Sequence, residues 1–338
     1  MEYGAIDLHR RHSLIRIVTE DGGVVLDRTI TTNRDGFHRT FEGRASMRVL
    51  VESGTESEWV AQVIEACGHE VIVADPNYAL MYGSRQRAIK TDRRDVAALG
   101  NACRLGIYRR AHRVSGAQRA ERRRLRLRAQ LIRVRTQAIN LLRAQLRQEG
   151  YRLPSGASET VVPRLQTLRV AAELAADLAP LRTLLEALAP LIRTADREAT
   201  RRAAADPIVR RLMTAPSVGP IVGLTYRAVL DDVGRFRDAS AVTAFLGLVP
   251  RENSSGARRC RGAITKMGPS PVRVALIQAA WGIWRQRRGR AALHAWVERL
   301  AARRGRRVAV VALARRLARI LYALWRDDCD YQAVPVAA

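Results

Sequence analysis

Three short segments rich in β-branched residues open the chain, at 4–9 (GAIDLH), 13–19 (SLIRIVT) and 23–31 (GVVLDRTIT), with turn-forming residues between them. They predict three strands. A short segment of helical character follows, and Met47–Glu52 (MRVLVE) predicts a further strand. From Thr55 to Cys67 the apolar positions Trp59, Val60, Val63, Ile64 and Cys67 keep helical spacing, and Gly68 is a natural stop. Val71–Ala74 (VIVA) is an apolar strand ended by Asp75-Pro76, and Asp92 to Leu105 reads as a helix with Val96, Leu99 and Cys103 on one side. The resulting order, βββ-α-β-α-β-α, predicts a mixed sheet with helices on its faces.

That order is the ribonuclease-H-like one. Beyond it, residues 116–149 predict one long helix. Leu125, Ile132, Ile139 and Leu146 repeat every seven residues, and Leu127, Val134 and Leu141 form a second row, the pattern of a coiled coil or an elongated helical hairpin. Helical character returns from Val161 to about Arg202, where Pro180 and Pro190 are expected to kink or break it. Near Asp206 a second compact unit begins. Its PSVGP turn (Pro216–Pro220) lies between helical segments 207–214 and 220–232 and resembles a helix–hairpin–helix turn, whose backbone amides at Val218 and Gly219 would grip phosphate without reading sequence. A capped helix within 236–250, a Gly- and Arg-rich loop at 251–268, a helix at 272–284, basic helices over 291–326 and a loose tail complete the reading. The expected domains are 1–111, 112–204 and 205–326, with a tail at 327–338: α/β, then helical spacer, then mainly helical.

Charge narrows the function. Lys plus Arg is 59 against 32 Asp plus Glu, a net +27, and all but Lys90 and Lys266 are arginines. A compact body this basic repels itself and calls for a polyanion, nucleic acid above all. A GC-rich genome accounts for arginine replacing lysine but not for the net excess. Arg119–Arg135 holds eight arginines and one acid, and Arg285–Arg319 twelve and one, both on amphipathic helical patterns. Arg119, Arg123, Arg126 and Arg133 are the expected nucleic-acid face of the long helix. No 18-residue apolar run exists, no secretory segment is visible, and the four dispersed cysteines form no CxxC pair, which fits a cytoplasmic protein and argues against a zinc module.

Candidate chemistry follows from the acids. Asp7 sits between Ile6 and Leu8 on the first strand, where a charge is costly unless it faces a site. Glu52 ends another strand. Asp92 and Asp95, three apart in KTDRRD, share one face of a helix's first turn. Four carboxylates meeting at one sheet edge would repel one another unless they held divalent cations, and paired Mg²⁺ suits phosphodiester chemistry. Taken singly, Asp7 reads equally as a strand-edge polar residue, Glu52 as a helix cap, and Asp92 with Asp95 as a capping pair. Glu56 and Glu58 are the nearest substitutes for Glu52. Ser254-Ser255-Gly256 lies among Arg251, Arg258, Arg259, Arg261 and Lys266. A serine there could attack a phosphate, although composition alone favours a plain turn.

These motifs carry a resemblance across nearly the whole chain. AIDLH, VLVESG, GHEVIVADP and KTDRRD, followed by PSVGP, FRDASAVTAFLGLVPRENSSG, GAITKMG and VRVALIQAAW, resemble the insertion-sequence-110 family of transposases. The resemblance implies a RuvC-like domain with a DEDD set at Asp7, Glu52, Asp92 and Asp95 holding Mg²⁺, a coiled-coil spacer, and a transposase domain whose nucleophilic serine maps to Ser255, with Ser254 next. It also implies target and donor DNA as substrates and a structured bridge RNA as guide. Assembly as a tetramer or dimer of dimers, a covalent phosphoserine intermediate and a bacterial, nucleoid-associated location complete what it implies. Two other functions stay open on the residues alone: a junction-resolving nuclease that uses water, and a non-catalytic nucleic-acid-binding protein.

Overall fold

The structure, a computed structural model, describes residues 1–83, 91–252, 261–285 and 291–332. Two compact units result, Met1–Val114 and Ser115–Ala338.

The first unit is built on a five-stranded sheet. Strands β1 (Tyr3–Asp7), β2 (His12–Val18) and β3 (Val24–Thr31) form an antiparallel meander. Helix α1 (Arg34–Phe41) leads to β4 (Arg48–Glu52), and α2 (Ser57–Ala66) leads to β5 (Glu70–Ala74). The order across the sheet is β3-β2-β1-β4-β5, with β1, β4 and β5 parallel. Because successive strand residues point to opposite faces, each strand feeds two cores. Ile6, Val49, Val51, Val71 and Val73 meet α1 and α2 through Phe37, Phe41, Val60 and Ile64. Ala5, Leu50, Ile72 and Ala74 meet helix α3 (Asp92–Leu105) through Val96, Leu99 and Cys103. Thr91 caps α3, its Oγ1 accepting from the Arg94 amide at 3.4 Å. Arg113 closes the unit against α2 by pairing with Glu58 and Glu65.

The second unit is helical. Helix α4 (Gly116–Gln148) runs antiparallel to α6 (Ala172–Ala205), with the short α5 (Val161–Gln166) between them. The antiparallel sense follows from the contacts. Glu121 pairs with Arg202 and Arg128 with Asp196 at one end, and Ile139, Leu142 and Leu146 share a core with Leu178 and Leu185 at the other. Pro180 and Pro190 lie inside α6 and do not break it, the stronger of the two expected outcomes. Both prolines and the residues one turn before them, Ala176 and Glu186, are exposed, so water can satisfy the carbonyls that lose their amide partners.

Helices α7 (Pro207–Leu212), α8 (Pro220–Leu230), α9 (Ala239–Phe245), α10 (Ser270–Arg285), α11 (Ala291–Arg304) and α12 (Arg306–Arg326) surround a separate core centred on Tyr226, Leu276, Leu313 and Leu317. The Tyr226 hydroxyl donates to the Ala318 carbonyl at 2.8 Å. The segment expected to be all loop begins and ends as strand: β6 (Pro250–Glu252) pairs antiparallel with β7 (Arg261–Ile264). Two glycines lock the base of this hairpin. A Cβ on Gly247 (φ +66°) would stand 2.1 Å from the Met267 carbonyl oxygen, and one on Gly268 (φ +93°) 2.0 Å from that of Phe245. The start of the tail is held rather than loose, since the Tyr331 amide donates to Thr214 Oγ1 at 2.9 Å and Asp328 pairs with Arg211. Among the described residues no helix is long and apolar enough to cross a membrane.

Candidate active site

Face alternation brings the acids together. Asp7 ends β1 on the face of Ala5, and Glu52 ends β4 on the face of Leu50, so both belong to the face that α3 covers. Ile6 pairs with Val51, so Asp7 and Glu52 terminate adjacent parallel strands. Helix α3 begins at the same edge with Asp92 and Asp95 in its first turn, where the helix dipole favours negative charge. One ligand atom each from Asp7, His9 and Asp92 lies within 4.8 Å of the other two. His9 Nε2 is 3.3 Å from Asp7 Oδ2 and 3.7 Å from Asp92 Oδ2. Burial pushes the Asp7 carboxyl above its ordinary range. His9 opposes that shift, and the Asp92 and Asp95 charges reinforce it. Glu52 stands outside the tight cluster and lines, with His9, Arg10 and Ser53–Glu56, an adjoining cleft of about 460 Å³. The donor set fits a divalent cation: carboxylate oxygens predominate, one imidazole nitrogen joins them, and the ionised acids repel one another without a counter-charge.

Comparison with known proteins gives the family. A family model for DEDD transposases of IS110 elements matches residues 5–150, and one described as "Transposase IS116/IS110/IS902 family" matches residues 209–295. The chain belongs to the IS110 family of transposases. It is thus an enzyme that cuts and rejoins DNA. A "probable family 20 transposase" of Pseudomonas aeruginosa is 29% identical over 84% of this chain and 85% of its own length. The transposase for insertion sequence element IS1328 of Yersinia enterocolitica is 29% identical over 81% and 82%. That for IS1111A of Coxiella burnetii is 28% identical over 72% and 68%.

The transposase divides its arginines between scaffold and surface. On α4, Arg122 donates to the carbonyls of Ala228 and Val229, Arg128 holds Asp196, and Arg135 holds Glu159. Arg123, Arg126 and Arg133 are exposed, while Arg119 is half-buried. In the PSVGP turn, Val218 is buried and its amide donates to the Ala215 carbonyl, so its side chain and N–H both serve the fold. Gly219 caps α8, and the left-handed residue of the turn is Ser217 (φ +60°). Arg251 is exposed on β6, and Lys266 is exposed two residues beyond β7 with a left-handed backbone. Ser254, Ser255, Arg258 and Arg259 lie outside the described residues, as does the side chain of Arg261.

Sequence reading missed His9. The signal was available in the Asp-x-His spacing of AIDLH, because residues two apart in an extended segment share a face.

Proposed function

We propose that this transposase excises and inserts its own element by Mg²⁺-dependent strand cleavage and exchange through a phosphoserine intermediate, directed by a structured RNA. The observation that carries the reading is the meeting of Asp7 and Asp92 about His9, with Asp95 on the same helical turn and Glu52 on the neighbouring strand end. The strand order β3-β2-β1-β4-β5, antiparallel then parallel, supports a ribonuclease-H-like (RuvC-like) first unit. When bound, Mg²⁺ would supply Lewis-acid polarisation of phosphate oxygens. Asp7, Glu52, Asp92 and Asp95 would hold it, and His9 would orient Asp7 and Asp92.

Ser255 is the proposed nucleophile. Its hydroxyl oxygen forms a bond to phosphorus as its proton departs, and the deoxyribose oxygen leaves and gains a proton. Reversal of the step with a different strand end rejoins the DNA. Arg251 on β6 and Lys266 just beyond β7, both exposed, would steady the phosphate. Arg123, Arg126 and Arg133 offer a charged face suited to RNA or DNA backbone, with Arg119 at its edge. Multimer formation is supported by the exposed apolar row Leu127 and Leu141 on α4 and by Leu191 on α6, positions that an antiparallel hairpin leaves uncovered.

The test couples two variants. Asp7→Asn is expected to abolish strand cleavage and Mn²⁺ binding measured by electron paramagnetic resonance, with nucleic-acid binding retained. A protein–DNA adduct trapped on denaturing gels should vanish in Ser255→Ala. Cleavage by Asp7→Asn removes the metal assignment, and an adduct that survives Ser255→Ala but not Ser254→Ala moves the nucleophile by one residue.

A further inference from the structure

In the second unit, α9, α11 and α12 border a groove of about 660 Å³ that shares no residue with the carboxylate cluster or the serine segment. Helix α12 lines it with Arg315, Arg316 and Arg319, which helical spacing sets on one side. Helix α11 contributes Trp296, with Ile320 beside it, and the alanines at 239 and 312 leave room next to the ring. Among the described residues no carboxylate lines the groove. Arg315 Nε is buried and has no hydrogen-bond partner among the described residues, so a water or a ligand must satisfy it. The Arg316 guanidinium lies over the Trp296 ring, 4.9 Å from its centroid, so one face of the indole already serves as a stacking platform.

Two chemistries therefore meet in one place. Three guanidinium groups with no ion pair among the described residues call for phosphate, which arginine grips bidentately. A half-buried indole and an isoleucine call for a flat apolar surface. Duplex backbone offers phosphate but keeps its base faces inside the stack. An unpaired nucleotide offers both at the spacing of one residue.

We propose that this groove binds an unpaired nucleotide of a nucleic-acid strand, with the base stacked on Trp296 and the adjoining phosphates held by Arg315 and Arg319. Arg316, which covers the ring in the empty groove, moves aside as the base takes its place. The proposal rests on the chain being a nucleic-acid enzyme but not on the carboxylate site or the serine, so it is tested without metal or cleavage.

The full chain is titrated in EDTA with a fluorescent 12-nucleotide oligo(dT), with oligo(U) of the same length and with a 12-base-pair duplex. Trp296→Leu is expected to weaken the preferred single strand by about 5- to 150-fold, the range for losing one stacked base, and to leave the duplex within about twofold. Trp296→Phe, which keeps an aromatic face, should restore most of the loss. Arg319→Ala should weaken binding and reduce its salt dependence by about one counterion. The tighter of the two single-strand arms names the occupant as DNA or RNA. In the unmodified protein, an oligonucleotide carrying 5-iodouracil should photo-crosslink at Trp296, a readout that does not depend on any variant folding. Unchanged single-strand affinity in Trp296→Leu overturns the proposal. So does an equal loss for duplex, or crosslinking confined to other residues.

Discussion

Replacing Asp92 by asparagine should stabilise the first unit without metal and cost it stability with metal. Asp7 and Asp92 present carboxylate oxygens within 4.8 Å of each other. Two unit charges at that distance repel by about 0.9 kcal/mol in water and about 3.5 kcal/mol at an effective dielectric constant of 20. The Asp92 side chain is 61% exposed and that of Asp7 only 16%, so the value lies toward the lower limit, about 1–1.5 kcal/mol. Loss of a favourable charge at the start of α3 takes back about 0.5 kcal/mol, and relief of repulsion with Asp95 one turn on returns a similar amount. The net expectation is about 1 kcal/mol of added stability, or roughly fivefold slower hydrogen exchange in core amides that open only by global unfolding. The experiment follows peptides spanning β1 and β2 by exchange mass spectrometry at pH 8. In EDTA the variant should exchange more slowly than the unmodified chain. With Mg²⁺ at about 100 times its dissociation constant, the unmodified chain gains about 2.7 kcal/mol, the variant far less, and their order reverses. Faster exchange of Asp92→Asn in EDTA, or an equal gain from Mg²⁺ in both proteins, would refute the claim that these acids are held together in anticipation of a cation.

Three further outcomes can be stated. Gly268→Ala should cost about 3 kcal/mol or more, from a disfavoured backbone angle and a Cβ 2.0 Å from the Phe245 carbonyl oxygen. Gly150→Ala, with similar φ (+78°) and open space, should cost about 1 kcal/mol; equal losses in denaturant unfolding, read by the four tryptophans of the second unit, would contradict the clash. Arg202→Ala removes the donor that meets Glu121 at 2.8 and 3.2 Å and leaves a buried carboxylate with the more distant Arg124, at 3.6 Å. That should cost about 2–4 kcal/mol, recovered largely by adding Glu121→Leu, with calorimetry as the check. Finally, the Arg48 hydrogen bond, helped by Arg110, holds the Glu70 carboxyl below its ordinary value. Its contribution is present above the ordinary glutamate range and is lost as pH falls through the depressed value. Glu70→Gln should therefore flatten the acid side of the first unit's stability profile, and an unchanged profile would count against the pairing.

The first unit was readable in sequence because its signals are local. β-Branched runs, Gly68 and Asp75-Pro76 punctuate strands and helices within a few residues, and the βββ-α-β-α-β-α order appears as expected. The meeting of Asp7 with Asp92 was anticipated from their types and order, and needed the face alternation of β1 and the docking of α3 to become geometry. What escaped reading depends on tertiary context. Pro180 and Pro190 sit in an unbroken helix because their freed carbonyls face water. The strands β6 and β7 carry too few apolar residues to show alternation. Of the arginines on α4, Arg122, Arg128 and Arg135 turned out to be braces rather than free surface, a division no charge count can make.

The acids that gather at the edge of the sheet come from opposite ends of the first unit's sequence, one on its opening strand and the others on its last helix. A chain still emerging from the ribosome, or clipped before α3, holds Asp7 without Asp92 and Asp95, so the cluster comes into being only once the unit's last helix has been made and docked.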